Sequence, residues 1–143
     1  MIKKRSTRQN AIRDIVRSKH IRTQKDIVTE LKAQGYVCTQ ATVSRDIADM
    51  GLQKLSEGIY ILAEDLHLQR MVSDLVLSLT VVNNMTIIKT STGTAQGVAA
   101  ALDAADLPGI LGSLAGDDTI LAIAESDERA QSFKAAIEKL RLK

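Results

Sequence analysis

Apolar and polar positions along this chain keep helical time as far as Met50 and a strand-like alternation soon after it. Ala11, Ile12, Ile15 and Val16 recur at the spacing of one helix face. Thr23 opens a second helix, with Asp26 at its third position as a near capping box. Ile27, Val28 and Leu31 form its apolar face, and Gly35 ends it. Tyr36 to Cys38 link to a third helical run, Thr39 to Met50, closed by Gly51. There Ala41, Val43, Ile47 and Met50 fall on a face that can be buried, which leaves Gln40, Thr42, Ser44 and Arg45 outside near the helix start. Leu52 to Leu55 and Ile59 to Leu62 then read as strands joined by the short loop Ser56-Glu57-Gly58. Three helices and a hairpin describe a winged helix.

The second half changes pattern. Glu64 to Arg70 is polar, lacks Gly and Pro, and reads as a linker with partial helical character. Leu75, Leu77, Leu79 and Val81 alternate as one strand face, although Leu68, Met71, Val72 and Leu75 also have helical spacing, which leaves the boundary near residue 73 open. Asn83-Asn84 suits a two-residue turn, because Asn accepts positive φ, and Met85 to Thr90 returns as the partner strand. Ser91-Thr92-Gly93 leads into an Ala-rich helix from Thr94 to Asp106, with Val98, Ala101 and Leu102 on one face and Gln96 and Asp103 exposed at its edges. Leu107-Pro108-Gly109 stops it. Gly109 to Ala124 forms a hairpin around Gly116-Asp117-Asp118. Ser126 then caps a last helix whose stripe is Ala130, Phe133, Ile137 and Leu140. The expected fold class is α+β: a winged helix-turn-helix domain over 1–63, a linker over 64–70 and a small ββαββα domain over 71–143.

Composition narrows the field. No run approaches the roughly 18 apolar residues of a membrane helix, and MIKKRSTRQN has no signal-peptide core, so the expected setting is the cytoplasm with no membrane partner. Cys38 is the only cysteine, which excludes an internal disulfide and a thiolate-rich metal cluster. Aromatics make up 2% of the chain, so any core is aliphatic and stacked-base recognition is disfavoured. The net charge of +2 conceals an asymmetry: Met1 to Ala63 carries 12 Lys+Arg against 6 Asp+Glu, and Glu64 to Lys143 carries 7 against 11. A basic first half fits a polyanion partner, or simply a solvated basic face. A C-terminal domain of about 75 residues buries little core, and domains of that size gain stability by association.

Two stretches carry candidate chemistry. Small polar residues and Arg at the start of the third helix suit the major groove, where Arg pairs with guanine, Gln with adenine, and hydroxyls reach bases or phosphates. A plain three-helix bundle explains the same periodicity, and the hairpin tips the balance toward a DNA reader, with Lys54 as a contact from the wing. Asp117 and Asp118 fit a tight turn, since Asp bonds nearby amides. As neighbouring carboxylates they also call for a cation, metal or guanidinium, once buried. An enzyme using them for divalent metal lacks any supporting ligand spacing, and His20 and His67 lie outside the acidic domain.

Thr39-Gln40-Ala41-Thr42-Val43-Ser44-Arg45-Asp46-Ile47 resembles the recognition-helix signature of the bacterial arginine repressor family. Gly93-Thr94-Ala95-Gln96, the run to Leu102-Asp103, and Gly109 to Ile120 resemble its effector domain. The likeness covers nearly the whole chain, in the same order. It implies a transcriptional regulator of arginine metabolism genes rather than an enzyme, acting on double-stranded operator DNA, with L-arginine as corepressor and no other cofactor. It also implies homo-oligomers in which trimers pair into hexamers, with the ligand at subunit interfaces. Carried over by position, Asp117 and Asp118 take the guanidinium, Gln96, Asp103 and Ser113 hold the remaining polar groups, and Ala115 lines the site through its backbone. Ser113 stands where the family commonly has Thr, keeping the hydroxyl and losing a methyl. The alternative is a DNA-binding oligomeric adaptor with no small-molecule effector.

Overall fold

The computed structural model describes residues 5–142, so Lys3 and Lys4 of the basic N-terminal stretch lie outside it. The chain divides into two compact units, 1–63 and 64–143.

In the first unit α1 (Arg5–Ser18), α2 (Gln24–Ala33) and α3 (Gln40–Met50) precede the strands β1 (Leu52–Lys54) and β2 (Tyr60–Leu62). The stripes read from the sequence converge: Ile12, Ile15, Val16, Ile27, Leu31, Val43, Ile47 and Leu62 share one core. Each such side chain, removed from water, contributes about 1.5–3 kcal/mol before entropy is counted. The start of α2 carries a full capping box. Thr23 Oγ1 accepts from the Asp26 N–H at 3.1 Å, and the Asp26 carboxylate accepts from the Thr23 N–H at 3.2 Å. Strands β1 and β2 pair antiparallel with Lys54 opposite Tyr60. The hairpin is tied to the α1–α2 connection: the Tyr60 N–H donates to the Ile21 carbonyl at 2.8 Å, and Arg22 donates to the Glu57 carbonyl at 2.9 Å.

Two expectations for α3 change. Ala41 is exposed in its first turn, and the inward face instead buries Asp46, at 2% exposure, beside Val43 and Ile47.

The second unit opens with a 3-10 turn, Ala63–Asp65, running into α4 (Leu66–Leu75). The segment 64–70 is therefore not a bare linker, and the order becomes αββαββα. The helical spacing of Leu68 and Val72 prevails because both are buried on the inner side of α4. Then come β3 (Val76–Val82), β4 (Met85–Thr90), α5 (Ala95–Ala105), β5 (Ile110–Ala115), β6 (Thr119–Ala124) and α6 (Asp127–Leu140). The sheet order is β3-β4-β6-β5, antiparallel throughout. Asn83 turns β3 into β4 with φ of 55°.

The face expected from Leu75, Leu77, Leu79 and Val81 does not exist as such. Leu75 ends α4, and a bulge between Val76 and Ser78 leaves Leu77 outside while Val76 and Leu79 point inward. An extra residue in a ladder shifts the two-residue alternation, and the apolar pattern alone does not reveal that.

Thr86, Ile88, Ile120, Ala122 and Ala124 form the covered side of the sheet, against which α5 and α6 lie. Gly97 explains the small residues of α5: a Cβ there would stand 3.3 Å from Met71 Cε of α4, so the two helices approach closely. On the other side of the sheet Val82, Ile87, Leu114 and Ile123 are exposed.

Candidate functional site

Exposure and local bonding sort the residues of α3. Gln40, Ser44 and Arg45 are exposed on its first turns, at the start of a helix capped by Thr39, whose Oγ1 accepts from the Thr42 N–H at 3.2 Å. Thr42 is half-buried, and its hydroxyl lies 3.1 Å from that of Thr39, so it belongs partly to the cap. The helix N-terminus adds partial positive charge and free amides to this surface, both favourable to phosphate. Lys54 is exposed on the wing with its Nζ 5.3 Å from the centre of the Tyr60 ring, a cation–π contact that leaves the residue exposed.

Behind this surface lies a group that the sequence pattern does not disclose. Arg8 of α1 reaches the Asp46 carboxylate with Nε at 2.5 Å and a terminal nitrogen at 3.0 Å, and Gln9 adds a bond at 3.1 Å. The hydrogen bond to Asp46 is the main reason the Arg8 guanidinium is held above its ordinary pKa. Tyr36, in the loop before α3, donates to the Thr7 carbonyl at 3.2 Å. Burial pushes the Cys38 thiol up from its ordinary range, with the Arg8 charge opposing.

In the second unit α5 and the edge strand β5 bring several predicted residues together. Gln96 and Asp103 are seven positions apart, two helical turns, and so share one stripe of α5 about 10 Å long. Ser113 and Ala115 lie on the side of β5 that pairs toward Ala122 and Ile120, the helix-covered side. The Ser113 hydroxyl donates to Asp103 Oδ1 at 3.3 Å, joining strand and helix. The result is a polar line at the open edge of the sheet, with exposed carboxylates and no cation from the stripe itself.

The two acids at the β5–β6 turn hold different places. Asp117 Oδ2 accepts from the Gly93 N–H at 3.2 Å, and the Asp117 carbonyl accepts from the Ala95 N–H at 3.1 Å, so this residue faces the start of α5. Gly93 has φ of 79°, a left-handed conformation that aims its N–H at the carboxylate and that L side chains seldom adopt. Asp118 instead accepts from the Thr119 hydroxyl at 2.9 Å, and Lys89 Nζ stands 3.8 Å from the same carboxylate and 2.7 Å from Thr119 Oγ1. Thr119 is opposite Lys89 in the ladder, on the uncovered side of the sheet. Both ends of the Lys89–Asp118 pair are about half exposed, so the pair itself is weak. Only its position in a strand would have pointed to Lys89. Among the described residues no group of three or more His, Cys, Asp or Glu is gathered as a metal site would need. Among the same described residues no helix is long and apolar enough to cross a membrane.

Comparison with known proteins gives this geometry its context. Residues 3–68 match the family described as "Arginine repressor, DNA binding domain", and residues 72–139 match "Arginine repressor, C-terminal domain". The chain is 40% identical to the arginine repressor of Syntrophomonas wolfei, over 95% of each sequence. It is 42% identical to that of Carboxydothermus hydrogenoformans, over 90% of this chain and 93% of the relative. With the arginine repressor of Thermus thermophilus the identity is 40%, over 91% and 86%. The chain belongs to the arginine repressor family, and is a DNA-binding regulator of transcription rather than an enzyme.

Proposed function

We propose that this protein is an arginine-responsive repressor in which residues 1–63 grip operator DNA and residues 71–143 assemble the oligomer and bind L-arginine. Gln40, Thr42, Ser44 and Arg45 read the major groove, and Lys54 meets phosphate from the wing. In the second unit Gln96, Asp103 and Ser113 hold the polar groups of the amino acid, Ala115 lines the site, and Asp117 and Asp118 take the guanidinium. A planar cation with five N–H donors suits carboxylates that keep free lone pairs after their local bonds are made. The observation that carries this reading is the polar line along α5 and the edge strand, ending at two exposed acids, in a chain whose relatives are named arginine repressors.

Assembly follows from exposed apolar residues of the same unit. Leu77, Val82, Ile87, Leu111, Leu114 and Ile123 are all exposed in the second unit, an apolar surface that a lone small domain would leave in water. Trimers that pair into hexamers would cover it and complete each ligand site with a neighbour. A ligand held between subunits favours the assembled state by mass action, and the assembled state in turn binds the ligand more tightly. The place of action is the cytoplasm, where operator DNA lies.

Titration calorimetry with L-arginine on the wild type, Asp117→Asn and Arg45→Ala tests the reading. Asn keeps an oxygen for the Gly93 N–H, so the turn stays folded while the charge facing the guanidinium is lost. Asp117→Asn should weaken arginine binding about 10- to 100-fold, the scale of one hydrogen bond to a charged group. Arg45→Ala should leave it unchanged and abolish the gel shift of operator DNA. Absence of heat with wild-type protein would instead favour an adaptor with no effector.

A further inference from the structure

We infer that the Arg8–Asp46 pair is a positioning device for DNA readout: it fixes the angle of α3 against α1, and Arg8 is not itself a phosphate contact. The inference rests on the reading of α3 as the helix that meets DNA.

The backbones of α1 and α3 approach each other far less than those of α2 and α3 do. Ile12 and Ile15 of α1 share a core with Val43 and Ile47 of α3, but apolar burial has no directional preference of its own. The directional connection is made by long polar side chains. The Arg8 fork places two N–H donors on the two oxygens of Asp46, and Gln9 places a third. A bidentate guanidinium–carboxylate pair fixes separation and rotation together, which a single point charge does not. Tyr36 to Thr7 ties the loop before α3 to the same end of α1. Asp46, buried, immediately follows the exposed Arg45, about 100° further round the same rigid helix. Any rotation of α3 that shifts Asp46 therefore swings Arg45 and Ser44 relative to the base edges.

Burial bears on the second half of the inference. Arg8 keeps 16% of its side-chain exposure and Asp46 keeps 2%. A guanidinium that spends two of its five N–H donors on a buried carboxylate, with 16% of its side chain exposed, presents little of its charge to phosphate. Buried ion pairs add little net stability compared with apolar replacements, and their better-attested use is to select one arrangement among several. Here that arrangement is the seat of the reading helix.

The experiment begins with wild-type protein, L-arginine and a library of random duplexes, from which selection yields a preferred duplex. Affinity for it and for a scrambled duplex of equal composition is then measured over a salt series for wild type, Arg8→Lys, Asp46→Asn and the apolar double variant Arg8→Met/Asp46→Leu. Circular dichroism confirms that each is folded at the assay temperature. The double variant guards against a single variant that fails to fold, since it leaves no buried unpaired charge. Expected is a loss of about tenfold or more on the preferred duplex, the scale of one good base contact. Binding to the scrambled duplex and the slope of log affinity against log salt should not change. Three results would overturn the inference. One is an equal loss on both duplexes with a shallower salt slope, which marks Arg8 as a phosphate contact. Another is full discrimination by the folded double variant. The third is failure of the wild type to prefer any duplex, which removes the underlying reading of α3 and is told apart from the others because it precedes every substitution.

Discussion

The two units place their charges in opposite ways. The first buries an ion pair, Arg8 with Asp46, and leaves Gln40, Ser44 and Arg45 exposed on a capped helix. The second covers one side of its sheet with aliphatic residues, and leaves Asp117, Asp118 and a set of large apolar side chains exposed. A rigid helix with exposed polar groups is a finished surface for a long polyanion. An apolar sheet side is half of something, since large apolar side chains left in water favour being covered, and acids beside it would need a cation once covered too. Folding thus completes the first unit, whereas association completes the second.

The sharpest way to break this contrast is to spoil the apolar sheet side. Leu114, 75% exposed, is the most accessible of its large residues. Leu114→Asp should collapse the oligomer to a monomer at micromolar concentration, read as molar mass by light scattering. On the proposed reading, in which a neighbour completes each site, arginine binding should fall with it. An unchanged mass would show that this side of the sheet is solvent-facing and that the second unit is as complete alone as the first.

Core truncations sharpen the same comparison. Ile12 and Ile120 are both fully buried, one in each unit. Replacing either by Ala removes buried methyl groups and leaves a cavity, for a loss of about 2–5 kcal/mol. Stability linked to association depends on protein concentration. Denaturation of Ile120→Ala should therefore shift with concentration, whereas the loss from Ile12→Ala should stay constant across the same dilution series. Equal concentration dependence in both variants would contradict the division of labour.

Smaller effects belong to α3. Thr39→Ala removes the hydroxyl that accepts from the Thr42 N–H and should cost about 1 kcal/mol. Chemical denaturation measures it, and Thr39→Ser should recover most of the loss because it keeps the acceptor.

Legibility follows the length of chain over which the forces act. The helices of the first unit, the cap of α2 and the hairpin were readable because each is set by residues within a few positions: Thr23 with Asp26, and the loop Ser56-Glu57-Gly58. The β5–β6 hairpin around Gly116-Asp117-Asp118 was readable for the same reason. Asp46 was not, because a carboxylate in an amphipathic helix ordinarily faces water, and its partner stands 38 residues earlier. The α4–β3 junction misled because Leu75, Leu77, Leu79 and Val81 satisfy an alternation that the bulge at Leu77 interrupts. The candidate site was visible as a set of residue types. The divergence of Asp117 toward Gly93 and Asp118 toward Lys89 depends on pairings across the sheet that no local pattern states.

The mildest test probes the environment behind α3 through Cys38, one residue before the Thr39 cap. Burial raises its thiol pKa above the ordinary 9.0, with Asp46 acting in the same direction and Arg8 against it. The thiolate is the reactive form, so a raised pKa lowers its fraction at any pH below that value. Iodoacetamide should alkylate Cys38 in the folded protein more slowly at pH 8 than it alkylates the unfolded chain, with the midpoint of the rate profile moved to higher pH. The stability sign agrees. Below the unfolded value both states carry the proton and the contribution is fully present. Above it the unfolded chain releases its proton first, so the contribution is lost as pH rises through the folded value. A reaction as fast as in the unfolded chain would mean that Cys38 stands in open water, and that the loop carrying Tyr36 into α3 is looser than its bond to Thr7 implies.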